Sequence, residues 1–334
     1  MSVSEVLAEY AGHHAERGSP LTLALLQGAA RDWDAGGVTR EVLFPYENDP
    51  PGSALPLRFT AALHRLVLDR QAPELALHYP TAGGQAPPEA AWPAARRLLA
   101  QHTGLARRLV GLPCQTNEVG RCVPLLAGLL HIARRTGRPL RLVEVGASAG
   151  LNLLVDRYRY GQSYGPPDSP CRLPNPGPAA DADLRIVERA GCDPHPLDPT
   201  SGEGRLRLSA SVWGDQVDRF ARLQGALAVA GRGYVPVEAA GAADWLARRL
   251  PDGDLPGAPV TVVWHSVVRQ YVDTAEWEQV EQLSTRPGVW RLSYEPDRSS
   301  QPVRFPLRVH GPGTRPGGDT LAYGGGHGPP LSLT

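Results

Sequence analysis

A continuous apolar run that ends in a glycine turn constrains the fold of this chain more than any other feature. The run is LRLVEV at residues 140–145, and the turn GASAG follows at residues 146–150. An apolar run of strand length that is bounded by glycine is typical of a strand buried on both faces of a parallel sheet. These residues therefore predict a parallel strand, a tight turn at its carboxyl end, and a helix from about Ala149 to Tyr158.

The glycine turn satisfies two motifs at once. G-x-S-x-G is the nucleophile elbow of α/β-hydrolases, in which Ser148 is the nucleophile. An acidic residue followed by G-x-x-x-G, here Glu144 with Gly146 and Gly150, is typical of a cofactor loop. Both motifs need a strand, a tight turn and a helix, so the turn alone does not distinguish them.

Strands and helices alternate after the glycine turn. The segments DLRIVERAGCD, YVPVEA, PVTVVWHSVV and GVWRLSYEP have strand patterns, with helical patterns between them. This alternation predicts an α/β fold with a doubly wound, mostly parallel sheet. The tail, rich in Gly and Pro, predicts two further strands in an antiparallel hairpin at the sheet edge, which makes seven strands in all. Residues 161–178, crowded with Gly and Pro, predict an insertion loop or hairpin.

The chain before the glycine strand has a different pattern. Apolar residues recur at helical spacing in segments such as LTLALLQGAARDW and LRFTAALHRLVLD. We therefore expect a helical N-terminal region at residues 1–114 and a Rossmann-like domain at residues 115–334. Within the latter, QTNEVGRCVPLLAGLLHIARRTGRP predicts a helix that is capped by Thr116 or Asn117 and closed by Gly137.

Composition excludes several classes of function. All 34 basic residues are Arg, which excludes a Schiff-base lysine and a Walker phosphate loop. The formal net charge is zero, so no extended track for nucleic acid is expected. Without an apolar stretch of 18 residues or a leader-like N-terminus, we expect a cytoplasmic protein with no membrane segment. The four cysteines form no C-x-x-C pair, and no metal site is predicted.

Chain order favours the cofactor loop over the hydrolase elbow. An elbow strand normally follows several earlier strands, whereas this glycine strand is the first of the alternating series. The hydrolase alternative uses Ser148 as nucleophile, Asp244 as the orienting acid, and His310 or His327 as the base. In the cofactor alternative, Ser148 replaces the middle glycine of a dinucleotide fingerprint, which disfavours a pyrophosphate. S-adenosylmethionine carries no phosphate and tolerates this replacement.

The predicted S-adenosylmethionine site lies on the glycine turn and the next strand. The glycines permit close approach of a ligand, and the following helix start offers free amide groups. The carboxylate of Glu144, at the end of the glycine strand, accepts a hydrogen bond from a ligand amine or hydroxyl. Asp193, which follows the second strand, accepts both ribose hydroxyls if residues 161–178 are an insertion. Otherwise Asp193 is a solvated turn residue. The predicted cofactor residues are Glu144, Gly146, Ala147, Ser148, Gly150 and Asp193.

Two segments supply candidate catalytic and substrate groups. WHSVVRQY, at the carboxyl end of the fourth strand, presents His265 and Tyr271. His265 is either the proton acceptor for an attacking oxygen or nitrogen, or a structural histidine. QTNEVGR is either a substrate clamp or a helix cap with an internal ion pair. Its candidate substrate residues are Gln115, Asn117, Glu118 and Arg121.

Four segments resemble a bacterial family catalogued as domain of unknown function 2332. They are QTNEVGRC, LVEVGASAGLNLLVDRYRY, VWGDQVDRFARL and VVWHSVVRQYV. The resemblance spans nearly the full length and implies a class I S-adenosylmethionine methyltransferase core behind a helical extension. The chain departs from the methyltransferase pattern at Ala242, where an acidic residue often contacts adenine, with Asp244 two places on. The predicted function is methyl transfer to a small molecule, and the alternative is a non-catalytic binding or scaffolding protein that keeps the fold.

Overall fold

The computed structural model describes residues 1–16, 18–177 and 183–334. Its α-helices, in chain order, are α1 (Val3–Glu16), α2 (Pro20–Asp34), α3 (Val38–Leu43), α4 (Leu55–Leu68), α5 (Pro73–Ala76), α6 (Ala91–Gln101), α7 (Thr103–Val110), α8 (Cys122–Thr136), α9 (Gly202–Ala210), α10 (Val217–Ala230), α11 (Ala242–Arg249) and α12 (Thr274–Leu283). No helix in the described ranges has the length and apolar character needed to cross a membrane.

The β-strands are short, and most of them follow the predicted alternation. In chain order they are β1 (Leu140–Val145), β2 (Arg159–Tyr160), β3 (Arg172–Leu173), β4 (Ile186–Asp193), β5 (Val237–Ala239), β6 (Val260–Ser266), β7 (Val289–Tyr294), β8 (Phe305–His310), β9 (Asp319–Gly325) and β10 (Gly328–Leu333). The segments that carried strand patterns in the sequence therefore all contain a strand.

Contacts within the chain divide it into two compact units. The first comprises Met1–Thr116 and Ser201–Ala221, and it is helical. Its core contains buried aliphatic and aromatic side chains from α1 to α7. His64 is buried in this unit, where its Nδ1 lies 2.7 Å from the carbonyl oxygen of Val212. Burial lowers the pKa of His64 to about 4, so the ring is neutral at physiological pH.

The second unit comprises Asn117–Thr200 and Arg222–Thr334 and contains an eight-stranded sheet. The strand order is β10-β9-β8-β7-β6-β1-β4-β5. The five strands from β7 to β5 pair in parallel, whereas β8, β9 and β10 are antiparallel. The predicted α/β class, with a mostly parallel sheet and antiparallel C-terminal strands, is confirmed.

The predicted number of seven strands is wrong, because the tail forms three strands rather than two. After β9 the chain reverses through glycine-rich residues 325–328, and β10 pairs with β9 at the sheet edge. Two of the six residues of β10, Pro329 and Pro330, have no amide hydrogen to donate to a ladder. Proline is tolerated in a sheet chiefly on an edge strand. Because β10 contains two prolines, its sequence does not have the pattern of a central strand, and the strand was not predicted.

The strand order reverses at the centre of the sheet. From β1 the chain proceeds outward to β4 and β5, then returns to the other side of β1 as β6 and β7. Glu144 of β1 lies opposite Gly191 of β4 and Trp264 of β6. Open parallel sheets bind ligands at the carboxyl ends of the strands where the order reverses. We therefore expect a functional site at the carboxyl edge of β1, β4 and β6.

Two local predictions around the glycine turn are corrected by the structure. The expected α-helix is a 3₁₀ segment, Leu151–Arg157, with a non-helical residue at Leu154. The hydroxyl of Tyr158 donates to the carbonyl of Leu151, which occupies an acceptor that an α-helix would use. For residues 161–178 the sequence allowed an insertion loop or a hairpin. Strands β2 and β3 pair in parallel, so they do not form a hairpin, and one antiparallel bridge joins Tyr160 to Tyr164. Pro178 lies outside the described residues.

Candidate functional site

Acidic and imidazole side chains lie at or near the carboxyl ends of four of the parallel strands. Glu144 lies on β1, Asp193 ends β4, His265 lies near the end of β6, and Glu295 directly follows β7. The side chains of Glu144 and His265 are 2% exposed, and that of Asp193 is 8% exposed. Buried polar groups of this kind need hydrogen-bond partners. Their hydrogen bonds therefore show which polar atoms are used inside the protein and which are left for a ligand.

The glycine turn adopts a left-handed backbone at three of its five residues. Gly146 and Gly150 have φ values of +68° and +70°, and Ser148 has φ +53°. A non-glycine residue in this region is uncommon and carries a small energetic cost. A side chain at position 146 would overlap Cγ2 of Val268, so glycine is required there for packing as well as for conformation.

Asn117 caps the glycine turn rather than the helix that follows it in sequence. Its Oδ1 atom accepts hydrogen bonds from the backbone nitrogens of Ala149 at 3.2 Å and Leu151 at 3.0 Å. The cap of the 3₁₀ turn before α8 is instead Glu118, whose Oε1 accepts from the nitrogen of Gly120 at 3.1 Å. The predicted cap at Thr116 or Asn117 is therefore wrong, because the Asn117 amide serves a loop 32 residues away.

The other amide groups of the turn also donate within the chain. The nitrogen of Ser148 donates to Oδ2 of Asp193 at 3.0 Å, and that of Ala147 donates to the carbonyl of Cys192 at 3.0 Å. The nitrogen of Gly150 donates to the carbonyl of Ala147 at 2.8 Å. The free amide groups that the sequence analysis predicted at the helix start, facing the ligand, are thus already used inside the protein.

Asp193 joins two segments of backbone. Besides the bond to Ser148, its Oδ1 atom accepts from the nitrogen of His195 at 2.9 Å. The carboxylate therefore holds its own loop and the glycine turn against each other. It is not a solvated turn residue, since it is buried and bonded across 45 residues of sequence.

Glu144 is a buried acid with one oxygen that makes no hydrogen bond. Its Oε1 atom accepts from Nδ2 of Asn152 at 3.0 Å, whereas Oε2 lacks a partner in hydrogen-bonding geometry among the described residues. Burial raises the pKa of Glu144 to about 8; Asp193 adds to the rise, while Asn152, Arg121 and the nearby Trp264 indole oppose it. At neutral pH the carboxyl group is therefore mostly protonated and can donate a hydrogen bond.

His265 forms a buried pair with Glu295, which the sequence analysis missed. The Nδ1 atom of the imidazole lies 2.8 Å from Oε1 of Glu295, and that oxygen also accepts from the nitrogen of Val268 at 3.1 Å. The rule that selected His265, a polar residue at the carboxyl end of a parallel strand, applies equally to Glu295 in the YEP segment after β7. That signal could have found it.

Arg121 connects the end of β6 to the turn between β9 and β10. Its Nη1 atom donates to the carbonyl of Ser266 at 3.2 Å, and its Nε atom donates to the carbonyl of Gly326 at 3.1 Å. Beside it, Oε2 of Glu118 lies 3.3 Å from Nδ1 of His327. Three predicted substrate residues, Asn117, Glu118 and Arg121, therefore all reach the carboxyl edge or the turn beside it.

Three other positions named in the sequence analysis belong to other segments of the chain. Tyr271 is 60% exposed on the 3₁₀ turn Arg269–Tyr271. Gln115 belongs to the first unit, whereas the cluster belongs to the second. Ala242 begins α11, and the nitrogen of the next residue, Ala243, donates to Oε1 of Glu276 at 3.3 Å. An acidic group thus reaches the start of this helix from α12.

The serine of the hydrolase motif lacks an activating partner. The Oγ atom of Ser148 is buried and makes no hydrogen bond with any described residue. Of the candidate bases, His310 lies 3.5 Å from Oγ of Ser293, and His327 lies beside Glu118. Burial, with a contribution from the nearby Arg291, also lowers the pKa of His310 to about 4. A nucleophilic serine needs a base within hydrogen-bond reach, and this arrangement does not supply one.

A family model described as "Uncharacterized protein conserved in bacteria (DUF2332)" matches residues 4–332. The chain belongs to this family. The match covers residues of both units. Curated proteins give no match to the chain, and solved structures give none either.

Proposed function

We propose that this chain is an S-adenosylmethionine-dependent methyltransferase that acts on a small molecule at the carboxyl edge between β1 and β6. The observation that carries the proposal is the carboxylate of Asp193 seated on the glycine turn, 3.0 Å from the nitrogen of Ser148. A ligand that lies across this turn brings its ribose within reach of Asp193. Carboxylates are well suited to vicinal hydroxyls because both donors find an acceptor oxygen.

The polar groups of the turn favour a ligand without phosphate. The amide groups of residues 147–151 donate to Cys192, Asp193, Asn117 and Ala147, so they offer no cradle for a pyrophosphate. A phosphate would also lie beside the carboxylate of Asp193. An uncharged ribose and a positively charged amine suit this environment better. S-adenosylmethionine combines both groups and has no phosphate.

Two buried atoms at the turn support a ligand of this kind. Oε2 of Glu144 and Oγ of Ser148 are both without a hydrogen-bond partner among the described residues. Buried polar atoms are nearly always paired with protein, water or ligand, so a pair of unpartnered atoms at one turn marks a place for a polar ligand. Glu144, Ser148 and Asp193 are the residues that would hold S-adenosylmethionine.

The catalytic group in this proposal is His265. Bound S-adenosylmethionine supplies a methyl group attached to positively charged sulfur. His265 accepts the proton of the attacking group at Nε2, which has no partner among the described residues. Because the ring is 2% exposed, the methyl acceptor must be small enough to enter the edge of the sheet. A chain of zero net charge also offers no phosphate track for a nucleic-acid substrate.

A specific observation favours the second candidate, a non-catalytic binding or scaffolding protein. Val268 packs directly on Gly146, and the amides of the turn are satisfied internally. A turn that is filled and hydrogen-bonded in this way can be a packing element that binds no ligand. In that case the function of the fold is to bind or hold partners through its surface.

Thermal unfolding with a panel of ligands separates the two candidates. S-adenosylhomocysteine, adenosine and NAD⁺ are each added in excess to the full chain, since a ligand that binds the folded state raises the unfolding temperature. The methyltransferase proposal expects a rise with S-adenosylhomocysteine, a smaller rise with adenosine, and none with NAD⁺. No rise with any of the three would favour the non-catalytic candidate. A rise with NAD⁺ alone would contradict both the argument that the turn disfavours a pyrophosphate and the argument that the turn binds no ligand.

A further inference from the structure

We infer that Glu295 is a positioning residue that holds His265 with its Nε2 atom as a proton acceptor, and that the methyl acceptor is a neutral hydroxyl or N–H group. The second part rests on the proposed function, whereas the first rests on the geometry of the second unit alone. The two side chains are 30 residues apart in the sequence, and the pairing of β6 with β7 brings them together.

The hydrogen bond between the two residues fixes the tautomer of the ring. Oε1 of Glu295 already accepts a hydrogen bond from the nitrogen of Val268, so the contact of 2.8 Å places a hydrogen on Nδ1 of His265, which donates to the same oxygen. Nε2 then carries the lone pair. This atom is buried and has no partner among the described residues, so it is available to a ligand at the carboxyl edge.

The carboxylate itself is held in place by the backbone after β6. Oε1 of Glu295 accepts a second hydrogen bond, 3.1 Å long, from the nitrogen of Val268. The preceding residue, Val267, has φ +54°, which is a rare conformation for a β-branched residue. Such strain persists where the surrounding structure requires it and is frequent at functional sites. Here the left-handed residue immediately precedes the amide that donates to Glu295.

The imidazole is held from a second direction by an aromatic ring. Trp277 of α12 contacts His265 edge to face, with ring centroids 4.8 Å apart and an interplanar angle of 80°. Rotation of the imidazole is thus restricted by the indole on one side and by the carboxylate on Nδ1. Proton transfer gains from such orientation, because the acceptor atom need not be arranged during the reaction.

This arrangement selects the chemical class of the methyl acceptor. In the proton-transfer step, the X–H bond of a hydroxyl or N–H group breaks, the proton binds to Nε2, and the electron pair stays on X for the new bond to the methyl carbon. The bond from that carbon to the sulfur of the methyl donor would break, and its electron pair would return to sulfur. The carboxyl group of Glu295, 2.8 Å from Nδ1, lies beside the positive charge that the ring gains. A carboxylate acceptor has no proton to give, and at this imidazole it would approach the carboxylate of Glu295.

Nitrogen NMR of the full chain labelled with ¹⁵N-histidine tests the positioning role without any cofactor. The His265→Gln variant assigns the resonances. We expect the Nδ1–H tautomer in the wild type and in Glu295→Gln, whose side-chain oxygen can still accept both N–H groups. Glu295→Ala removes that acceptor and should produce a mixture of tautomers. An Nε2–H tautomer in the wild type overturns the inference, as does an unchanged tautomer in Glu295→Ala. If Glu295→Ala does not fold, the wild-type tautomer decides.

The acceptor class is tested on the same labelled protein with phenol and benzoate as probes. Phenol at millimolar concentration should shift the Nε2 resonance of His265, because its hydroxyl donates to that atom, whereas benzoate should leave it unchanged. A shift with benzoate, or no shift with phenol, overturns the acceptor class. Because neither experiment contains S-adenosylmethionine, failure of the proposed methyl donor is distinguished from failure of this inference.

Discussion

The Oδ2 atom of Asp193 lies 3.0 Å from the backbone nitrogen of Ser148, which ties the end of β4 to the glycine turn after β1. The residue proposed to receive a ribose therefore also shapes the turn on which the ligand would lie. In the proposed function, ligand binding and stability are therefore coupled at this position. Substitutions at Asp193 are consequently poor tests of binding unless the stability of the variant is measured with it.

Asn117 offers a clearer test of what holds the turn. Asn117→Ala leaves the nitrogens of Ala149 and Leu151 without an acceptor, at a cost of about 1–3 kcal/mol for each buried group. Asn117→Asp keeps an acceptor oxygen and is the matched control. We expect urea unfolding to show a large loss of unfolding free energy for the alanine variant and a smaller one for aspartate. Equal losses would show that the hydrogen bonds from the turn to residue 117 do not account for the loss of unfolding free energy.

Ser148 should tolerate replacement by glycine. Its φ of +53° favours glycine, and its buried Oγ makes no hydrogen bond to a described residue. Ser148→Gly should unfold within about 1 kcal/mol of the wild type, whereas Ser148→Val should be destabilised because a β-branched residue resists this conformation. Thermal unfolding measures both variants.

The same variants examine the hydrolase alternative. An esterase activity on a p-nitrophenyl ester that is present in the wild type and lost in Ser148→Gly would contradict the cofactor interpretation of the turn.

Glu144 should make stability depend on pH. Its pKa is raised from the ordinary 4.5 to about 8, mainly by burial. Between these values the unfolded chain has released the proton while the folded chain keeps it. The contribution of Glu144 to stability is therefore complete below pH 4.5 and is lost as pH rises to about 8, by at most about 1.4 kcal/mol per pH unit.

The Glu144→Gln variant isolates this effect, since glutamine does not titrate and still offers an oxygen to Asn152. Urea unfolding at pH 5, 6.5 and 8 should show the variant gaining stability relative to the wild type as pH rises. Parallel stability curves for the two proteins would contradict the raised pKa of Glu144.

Sequence patterns located the second unit's parallel strands and placed Glu144, Asp193 and His265 at or near the carboxyl ends of those strands. Apolar runs of strand length and glycine turns depend on local backbone geometry, which neighbouring residues determine. The partner of His265 depends on the pairing of β6 with β7, and the role of Asn117 depends on a contact across 32 residues. Tertiary contacts of this kind leave no periodic pattern in the sequence.

The eighth strand was missed for a different reason. β10 lies at the sheet edge, where it can contain Pro329 and Pro330 because one side of the strand needs no ladder partner. The pattern that identifies a central strand therefore excludes this one. Edge position is a property of the assembled sheet, and the local sequence does not encode it.

Isothermal titration of the full chain with S-adenosylhomocysteine at pH 8 tests the central claim most directly. The glycine turn with Glu144 and Asp193 predicts saturable binding at one site per chain, and NAD⁺ should give no heat because the turn amides are already used. Circular dichroism on the same sample establishes that the protein is folded. Folded protein that gives no binding heat at millimolar S-adenosylhomocysteine, where even a free energy of about −4 kcal/mol would be detected, would contradict the proposed function.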